Sequence, residues 1–241
     1  MAVTTDKLLM KFGVTQAFDC NYIPEQKEQL LVYVDDEGNI NKQYEQLIKA
    51  GFRRSGEQIY RPHCVDCDAC QSLRILSQQY TPSRSQKRII NKNKALHTEV
   101  QTEIQDNYYP LYARYIEQRH SDGSMFPPSV SQFQNFVQCS WNKALFLEAW
   151  DVDNLVAVSV IDEMTDAISA LYTFFEPNLS HRSMGSYMII QLIHHANLLS
   201  KSFVYLGYQV DRCNKMNYKQ NYYPHERFYQ NKWHLKVKKT D

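Results

Sequence analysis

The 241-residue sequence predicts a mixed α+β (α/β) protein. Three observations predict it. Residues 168–222 read in succession as strand, polar turn, helix and strand, ending in a basic, tyrosine-rich arm. Two apolar runs, 144–150 and 155–161, precede that unit, joined by Asp151-Val-Asp-Asn154, a hairpin signal. The first hundred residues are instead short strand-like segments around Cys64-x-x-Cys67-x-x-Cys70. Composition narrows the class further. The net charge is +1, so no global field draws the chain to nucleic acid, and any such site is a local patch. No apolar run approaches the ~20 residues of a membrane span. The opening MAVTTDKLLMKF lacks the apolar core and cleavage site of a signal peptide, so a cytoplasmic, membrane-free protein is expected. Six cysteines in a chain of this size do not suggest a disulfide scaffold.

In chain order, Gln29–Asp35 reads as a strand ended by the turn cluster Asp35-Asp-Glu-Gly-Asn39. Asn41 is expected to cap a short helix that Gly51 closes. Phe52–Pro62 reads as a second strand and Gln71–Ser77 as a third. Residues 82–94 carry Arg84, Lys87, Arg88, Lys92 and Lys94 with no acid. His97–Ile104 reads as a further strand and Tyr108–Arg119 as a helix, and Ser131 is expected to cap another helix through Cys139. Ile168–Phe175 is a buried-strand pattern. Ile189, Ile193, Ala196 and Leu199 then form one helical stripe from Ser183 onward. Phe203–Tyr208 is again strand-like and needs that helical crossover to lie parallel to 168–175.

This order of helix, helix, three meandering strands, helix and parallel strand resembles the GNAT-like N-acyltransferase layout. In that layout two strands splay apart and substrate enters the gap. The sequence is expected to divide near residue 105. Residues 1–105 form a small cysteine-bearing N-terminal α+β module and residues 106–241 a GNAT-like transferase domain, with no flexible linker between them. Arg182-Ser183-Met-Gly185 opens the crossover helix with free N–H groups, a positive helix end and an arginine, an arrangement that favours a phosphate. Gly185 and Gly207 are two of only seven glycines and read as backbone requirements. For Gly185, close packing of helix on strand explains the residue equally well.

The double C-x₂-C step directs thiolates toward one metal or iron–sulfur cluster, with Cys20 as the best fourth ligand and His63 as the next. Reduced thiols packing a turn are the alternative. Cys139 and Cys213, without cysteine neighbours, read as packing residues.

Tyr60-Arg-Pro-x-Cys64-x-x-Cys67-x-Ala-Cys70 with Arg74, Pro82-Ser-Arg84-Ser-Gln-Lys-Arg88, Tyr115-Ile-Glu-Gln-Arg119-His120, Ser183-Met-Gly185-Ser-Tyr187, Tyr205-Leu-Gly207-Tyr208 and Lys215-Met-x-Tyr218-Lys219 occur in this order. Together they resemble the signatures of the aminoacyl-tRNA–protein transferases, over roughly residues 18–235. The short chain is similar to the bacterial branch of that family. The resemblance implies transfer of leucine from leucyl-tRNA to an N-terminal Asp or Glu of a protein, which marks it for degradation through the N-degron pathway. Arginine as donor is the alternative within the family. Family cysteines have been linked to iron–sulfur or zinc binding, mainly in the eukaryotic branch. Asp19 stands before Cys20 where family members often carry His.

The chemistry needs no cofactor. An α-amine, with a pKa near ~7.7–8.0, attacks an ester carbonyl, so the protein must align the two, stabilise an oxyanion and accept a proton. No nucleophile elbow is present. Candidates nearest the reacting ester are Tyr172, Tyr205 and Lys219. For the acidic N-terminus the candidates are Arg74, Arg84, Arg88, Arg119 and His120. For the tRNA end they are Arg182, Ser183, Gly185, Tyr208, Lys215 and Tyr218. Lys215 and Lys219 are expected on one helix face over the terminal adenosine, with Lys219 in an electrostatic role. Lys232, Lys236, Lys238 and Lys239 form a second basic patch, which either tracks the acceptor stem or is a solvated end. A CoA-dependent N-acetyltransferase and a non-catalytic, metal-stabilised RNA-binding module are the alternatives from other classes. Tyr187 crowds the place where the first needs a small residue.

Overall fold

The structure, a computed structural model, describes residues 10–238. Residues 1–9 and 239–241, which include Lys239 of the basic tail, lie outside the described residues.

The N-terminal part contains β1 (Lys11–Val14), β2 (Phe18–Asp19), β3 (Lys27–Glu28), β4 (Leu30–Val34), α1 (Ile40–Lys49), β5 (Arg53–Ser55) and β6 (Gln58–Pro62). Strands β1, β4, β6 and β5 make a four-stranded sheet, and β2 pairs with β3. Phe52–Pro62 is therefore a hairpin and not one strand. Gly56, at φ +54, turns the chain between Ser55 and Gln58. Helix α1 is started by Asp35, whose carboxylate accepts the Asn39 and Ile40 N–H groups at 2.9 Å, and Asn41 lies inside the helix. Gly51, at φ +85, follows its end as expected.

After β7 (Gln71–Leu76) comes α2 (Arg84–Lys92), a helix in the basic segment. Its start is a capping box, with the Ser83 hydroxyl accepting from Gln86 N–H while the Gln86 side chain accepts from Ser83 N–H. Next are β8 (His97–Gln101), α3 (Tyr108–Arg119) and α4 (Val130–Val137). The cap of α4 is Ser129 and not Ser131. Strands β9 (Leu145–Asp151), β10 (Asn154–Glu163) and β11 (Ala167–Phe175) form the expected meander. Helix α5 (Met184–Leu198) crosses to β12 (Phe203–Gln209), and the tail closes as the hairpin β13 (His225–Tyr229) and β14 (Lys232–Lys236). Ile189, Ile193 and Ala196 are buried on α5, whereas Leu199 is past its end and exposed.

The large sheet has eight strands in the order β14-β13-β7-β12-β11-β10-β9-β8. Only β11 and β12 are parallel. Strands β7 and β8 precede residue 105 and still belong to this sheet. On one face α3, α4 and α5 bury a core that includes Tyr112, Phe133, Phe174, Leu192, Val204 and Leu206. On the other face α1 and the small sheet bury Leu47, Ile48, Phe52 and Ile59 against Ala167 and Tyr205. Val204 and Tyr205 thus divide between the two cores, as the period of two in a strand requires. An Arg54–Asp162 pair ties the small sheet to β10. Both side chains are fully buried, with Nε and Nη2 each 2.8 Å from a carboxylate oxygen and the Tyr44 hydroxyl on the same carboxylate.

Pairing of β11 with β12 is confined to Ala167–Ser169 against Phe203–Tyr205, although the strands continue to Phe175 and Gln209. They part beyond that point, which is the splayed pair of the acyltransferase layout. Divergence is built into β12 by a bulge between Tyr205 and Gly207, where Gly207 adopts φ +80.

Candidate active site

The mouth of the splayed strands is walled by aromatic side chains. Tyr172 of β11 meets Phe136 (ring centroids 5.4 Å), Tyr115 (6.3 Å) and Tyr112 (6.4 Å) edge-on. Tyr115 packs on Phe175 at 4.9 Å, and its hydroxyl lies 3.1 Å from His120 Nε2. Burial pushes the Tyr172 phenol far up and the Tyr115 phenol to about 12, so both remain neutral hydrogen-bonding groups at neutral pH. Burial, followed by the charges of Lys215 and Arg119, lowers the His120 pKa. Arg119 is exposed and stands 5.6 Å from the Phe175 ring. Tyr172, Arg119 and His120 are therefore neighbours, linked through Tyr115 and Phe175.

The arm after β12 folds back over this mouth. Lys215 binds Asp122 beyond α3 at 2.7 Å, and Tyr218 lies near Tyr115 and Tyr172. Lys215 and Lys219 do not share a helical face. Residues 217–221 form a 3₁₀ turn, in which Lys215 stays exposed and Lys219 turns inward. Lys219 is only 4% exposed, and its Nζ donates to the Tyr208 carbonyl at 2.7 Å and lies 4.9 Å from the Tyr218 ring. No carboxylate pairs with it among the described residues. Burial first, and then the nearby Arg53 guanidinium, bring its pKa down from 10.5 to about 7. Its burial and its bond to the Tyr208 carbonyl turn the amine away from solvent, which departs from the expectation of a lysine open to a phosphate.

Several candidates are committed elsewhere. Arg74 donates to Glu226 at 2.6 Å and is sandwiched between Phe203 (3.8 Å) and Trp233 (4.3 Å). Tyr205, 1% exposed, accepts from Arg74 at 3.0 Å in the core beneath the small sheet, away from the mouth. The Tyr208 hydroxyl donates to the Gly51 and Tyr60 carbonyls, so its ring offers no stacking face. The bulge at Gly207 turns both tyrosines toward the small sheet, which a regular strand would not do. Arg182 is held by Asp151 (2.7 Å) and Asn93 (3.0 Å), so it is not a free phosphate ligand. Ser183, at φ +57, makes no side-chain cap, and a Cβ on Gly185 would meet Phe175 at 3.5 Å, an ordinary contact, so close packing does not require a glycine there. Arg84 and Arg88 are exposed on α2, which packs on α5, and make no ion pair among the described residues.

The four cysteines lie near one another. Cys64, Cys67 and Cys20 each raise the Cys70 thiol, which burial foremost brings to about 12. Cys20 Sγ accepts the Tyr22 and Ile23 N–H groups at 3.4 Å, and Cys64 donates to Gln29 O. Among the described residues no group of three His, Cys, Asp or Glu side chains is placed to hold a metal.

One residue at the mouth was not singled out in the sequence. Arg53, on β5, reaches the point where β11 and β12 part. It is 7% exposed, its Nη2 donates to the Ala170 carbonyl, and its Nη1 is buried without a partner. The only signal was the pair Arg53-Arg54 in a strand-like run, where alternation sends the two side chains to opposite faces.

Comparison with known proteins adds the following. Residues 18–88 match the family described as "Arginine-tRNA-protein transferase, N terminus", and residues 107–229 the corresponding "C terminus". The chain is 46% identical to an "Aspartate/glutamate leucyltransferase" of Pseudoalteromonas atlantica over 95% of this chain and 99% of that one. It is 45% identical to the protein of that name in Aeromonas hydrophila, over 95% and 96%. Among solved structures it overlays on FemX with a TM-score of 0.43 and 7% identity, over 82% of this chain and 79% of that chain. With L-PGS from Bacillus licheniformis the TM-score is 0.44 at 9% identity, over 70% and 52%.

Proposed function

The chain belongs to the arginine-tRNA–protein transferase family, and on that premise we propose that it transfers leucine from leucyl-tRNA to the N-terminal aspartate or glutamate of a protein. The observation that carries this reading is the 45–46% identity, over nearly the full length of both chains, to proteins named for that activity. The site supports it. The mouth is lined by aromatic side chains, and the carboxylates near it are already paired, Asp122 with Lys215 and Glu176 with Arg114. Such a wall suits leucine and offers nothing to balance an arginine side chain.

In the reaction the substrate's α-amine nitrogen forms a bond to the leucyl carbonyl carbon, and the bond from that carbon to the ribose oxygen of tRNA breaks. Lys219 Nζ, anchored by the Tyr208 carbonyl, takes the proton that the nitrogen sheds and returns it to the departing ribose hydroxyl. Tyr172 and Tyr218 flank the ester. Arg119 at the mouth, with Arg84 and Arg88 on α2, supplies cations to the tRNA phosphates. No step passes through the cysteine loop; Cys20, Cys64, Cys67 and Cys70 would be the residues to hold a metal there. The protein acts in the cytoplasm, where charged tRNA is available.

The test is incubation with leucyl- and arginyl-tRNA and peptides differing only at residue one. Label should pass from leucyl-tRNA to Asp and Glu peptides. Transfer of arginine alone, or equal transfer to Ala peptides, would overturn the proposal.

A further inference from the structure

The neighbours of Arg53 set an electrostatic problem. The charge of Arg53 is felt by Tyr22, Tyr44, Tyr60, Tyr208 and Tyr218, all phenols, and by Lys219, a second base. No carboxylate forms an ion pair with it among the described residues. Arg54, next in sequence and on the opposite face, shows how this fold satisfies a buried guanidinium, with a two-point fork on Asp162. Arg53 has the same fork, one arm fixed on Ala170 of β11 and the other empty. Its position is enforced. Ala170 is the first residue of β11 beyond the parallel pairing with β12, and across the gap a Cβ on Gly207 would stand 3.0 Å from Arg53 Cζ. A buried cation with an open donor, held at the apex of the gap, calls for an anion from outside.

We infer that Arg53 receives the side-chain carboxylate of the acidic N-terminal residue and so sets the preference for aspartate and glutamate. This deepens the transfer reading above and rests on it. An N-terminal Asp or Glu presents a carboxylate only a few bonds from its α-amine, and Arg53 and Lys219 are two adjacent groups that match those ends. The carboxylate meets the guanidinium while the amine faces Lys219 Nζ. Neutralising Arg53 also removes a positive field from Lys219, so the lysine becomes a better proton acceptor once an acidic residue is in place. An amide at the same position leaves the Arg53 charge uncompensated. Tyr218, 43% exposed beside Lys219, marks the side from which the peptide enters.

The experiment is calorimetric titration, without tRNA, of the wild-type protein, Arg53→Met and Arg53→Lys with peptides that begin Glu or Gln, followed by leucyl transfer. Wild type should favour Glu over Gln by on the order of 100-fold. The methionine variant should lose that ratio and the lysine variant keep part of it, with the KM for leucyl-tRNA unchanged in both. A full Glu-over-Gln ratio in either folded variant overturns the assignment. Should neither variant fold, a crystal structure of wild type with the Glu peptide decides: the carboxylate within hydrogen-bond distance of Arg53 Nη1 supports the assignment, and a carboxylate bound elsewhere overturns it. Selective binding of Glu peptides without leucyl transfer would defeat the transfer reading alone. Leucyl transfer confined to acidic N-termini, with the full Glu-over-Gln ratio kept in both Arg53 variants, would defeat this one alone.

Discussion

Replacing Lys219 by methionine keeps most of the side-chain volume and removes a buried amine whose pKa falls from 10.5 to about 7. The sign follows from linkage. The unfolded chain binds this proton up to the ordinary lysine value, whereas the folded chain releases it near neutrality. The native state therefore carries a penalty that is absent above 10.5, grows as the pH falls through that window and levels off below about 7. At about 1.4 kcal/mol per pH unit the penalty at pH 7 is on the order of 4 kcal/mol. Against this, the variant leaves the Tyr208 carbonyl without its Lys219 donor, a cost of about 1–3 kcal/mol. Lys219→Met should therefore unfold later than wild type in urea at pH 7, by roughly 2 kcal/mol. Its advantage should shrink by about 2 kcal/mol between pH 7 and 9, since the lost hydrogen bond does not titrate. Transfer should fall by at least ~100-fold in kcat, with the KM for leucyl-tRNA little changed. Parallel pH profiles of stability would refute the buried-amine argument. Unchanged kcat with a raised KM for tRNA would restore the lysine to the role of phosphate contact.

Three further outcomes are expected. Asp162→Asn leaves the fully buried Arg54 guanidinium without its counter-charge, and denaturant unfolding should show a loss of about 3–5 kcal/mol. Gly207→Ala places a Cβ against Arg53 at φ +80, so stability should drop by about 1–3 kcal/mol, with a larger loss of transfer to Glu peptides than of tRNA binding. Arg182→Ala breaks bonds to Asp151 and Asn93; thermal unfolding should register it, and the KM for charged tRNA should stay within about twofold of wild type.

Much of the fold could be read because local pattern and tertiary environment agree. Tyr108–Arg119 is a helix as spaced, with Leu111, Tyr112, Tyr115 and Ile116 buried. The meander, crossover and parallel strand follow the change of period from two to 3.6. Where short-range signals conflict, the reading failed. Ser55-Gly56 sits inside an alternating run, so the hairpin looked like one strand. Helix α2 is specified by its Ser83–Gln86 capping box more than by an apolar stripe. The tail is a strand because Phe228 and Trp233 pack on each other across a hairpin, which a run of lysines conceals. Candidate site residues divide by what burial does to them. Tyr172, Arg119, His120 and Tyr218 lie at the mouth, whereas Arg74 and Arg182 are consumed by ion pairs whose partners, Glu226 and Asp151, are far away in sequence. Arg53 was overlooked for the same reason reversed, since the lack of a partner can be seen only in three dimensions.

Strand β7 lies between β12 and β13, pairing Leu73 with Gly207 and with Arg227. The arm of the cleft that bears Gly207 is thus clamped from outside by a segment synthesised more than a hundred residues earlier. On a ribosome, residues 71–76 must wait unpaired until both later strands emerge, a long-range closure that slows folding and leaves an apolar edge open meanwhile. Competence to meet a charged tRNA therefore arrives as one late event rather than by halves, so the unfinished chain has no half-built cleft to offer.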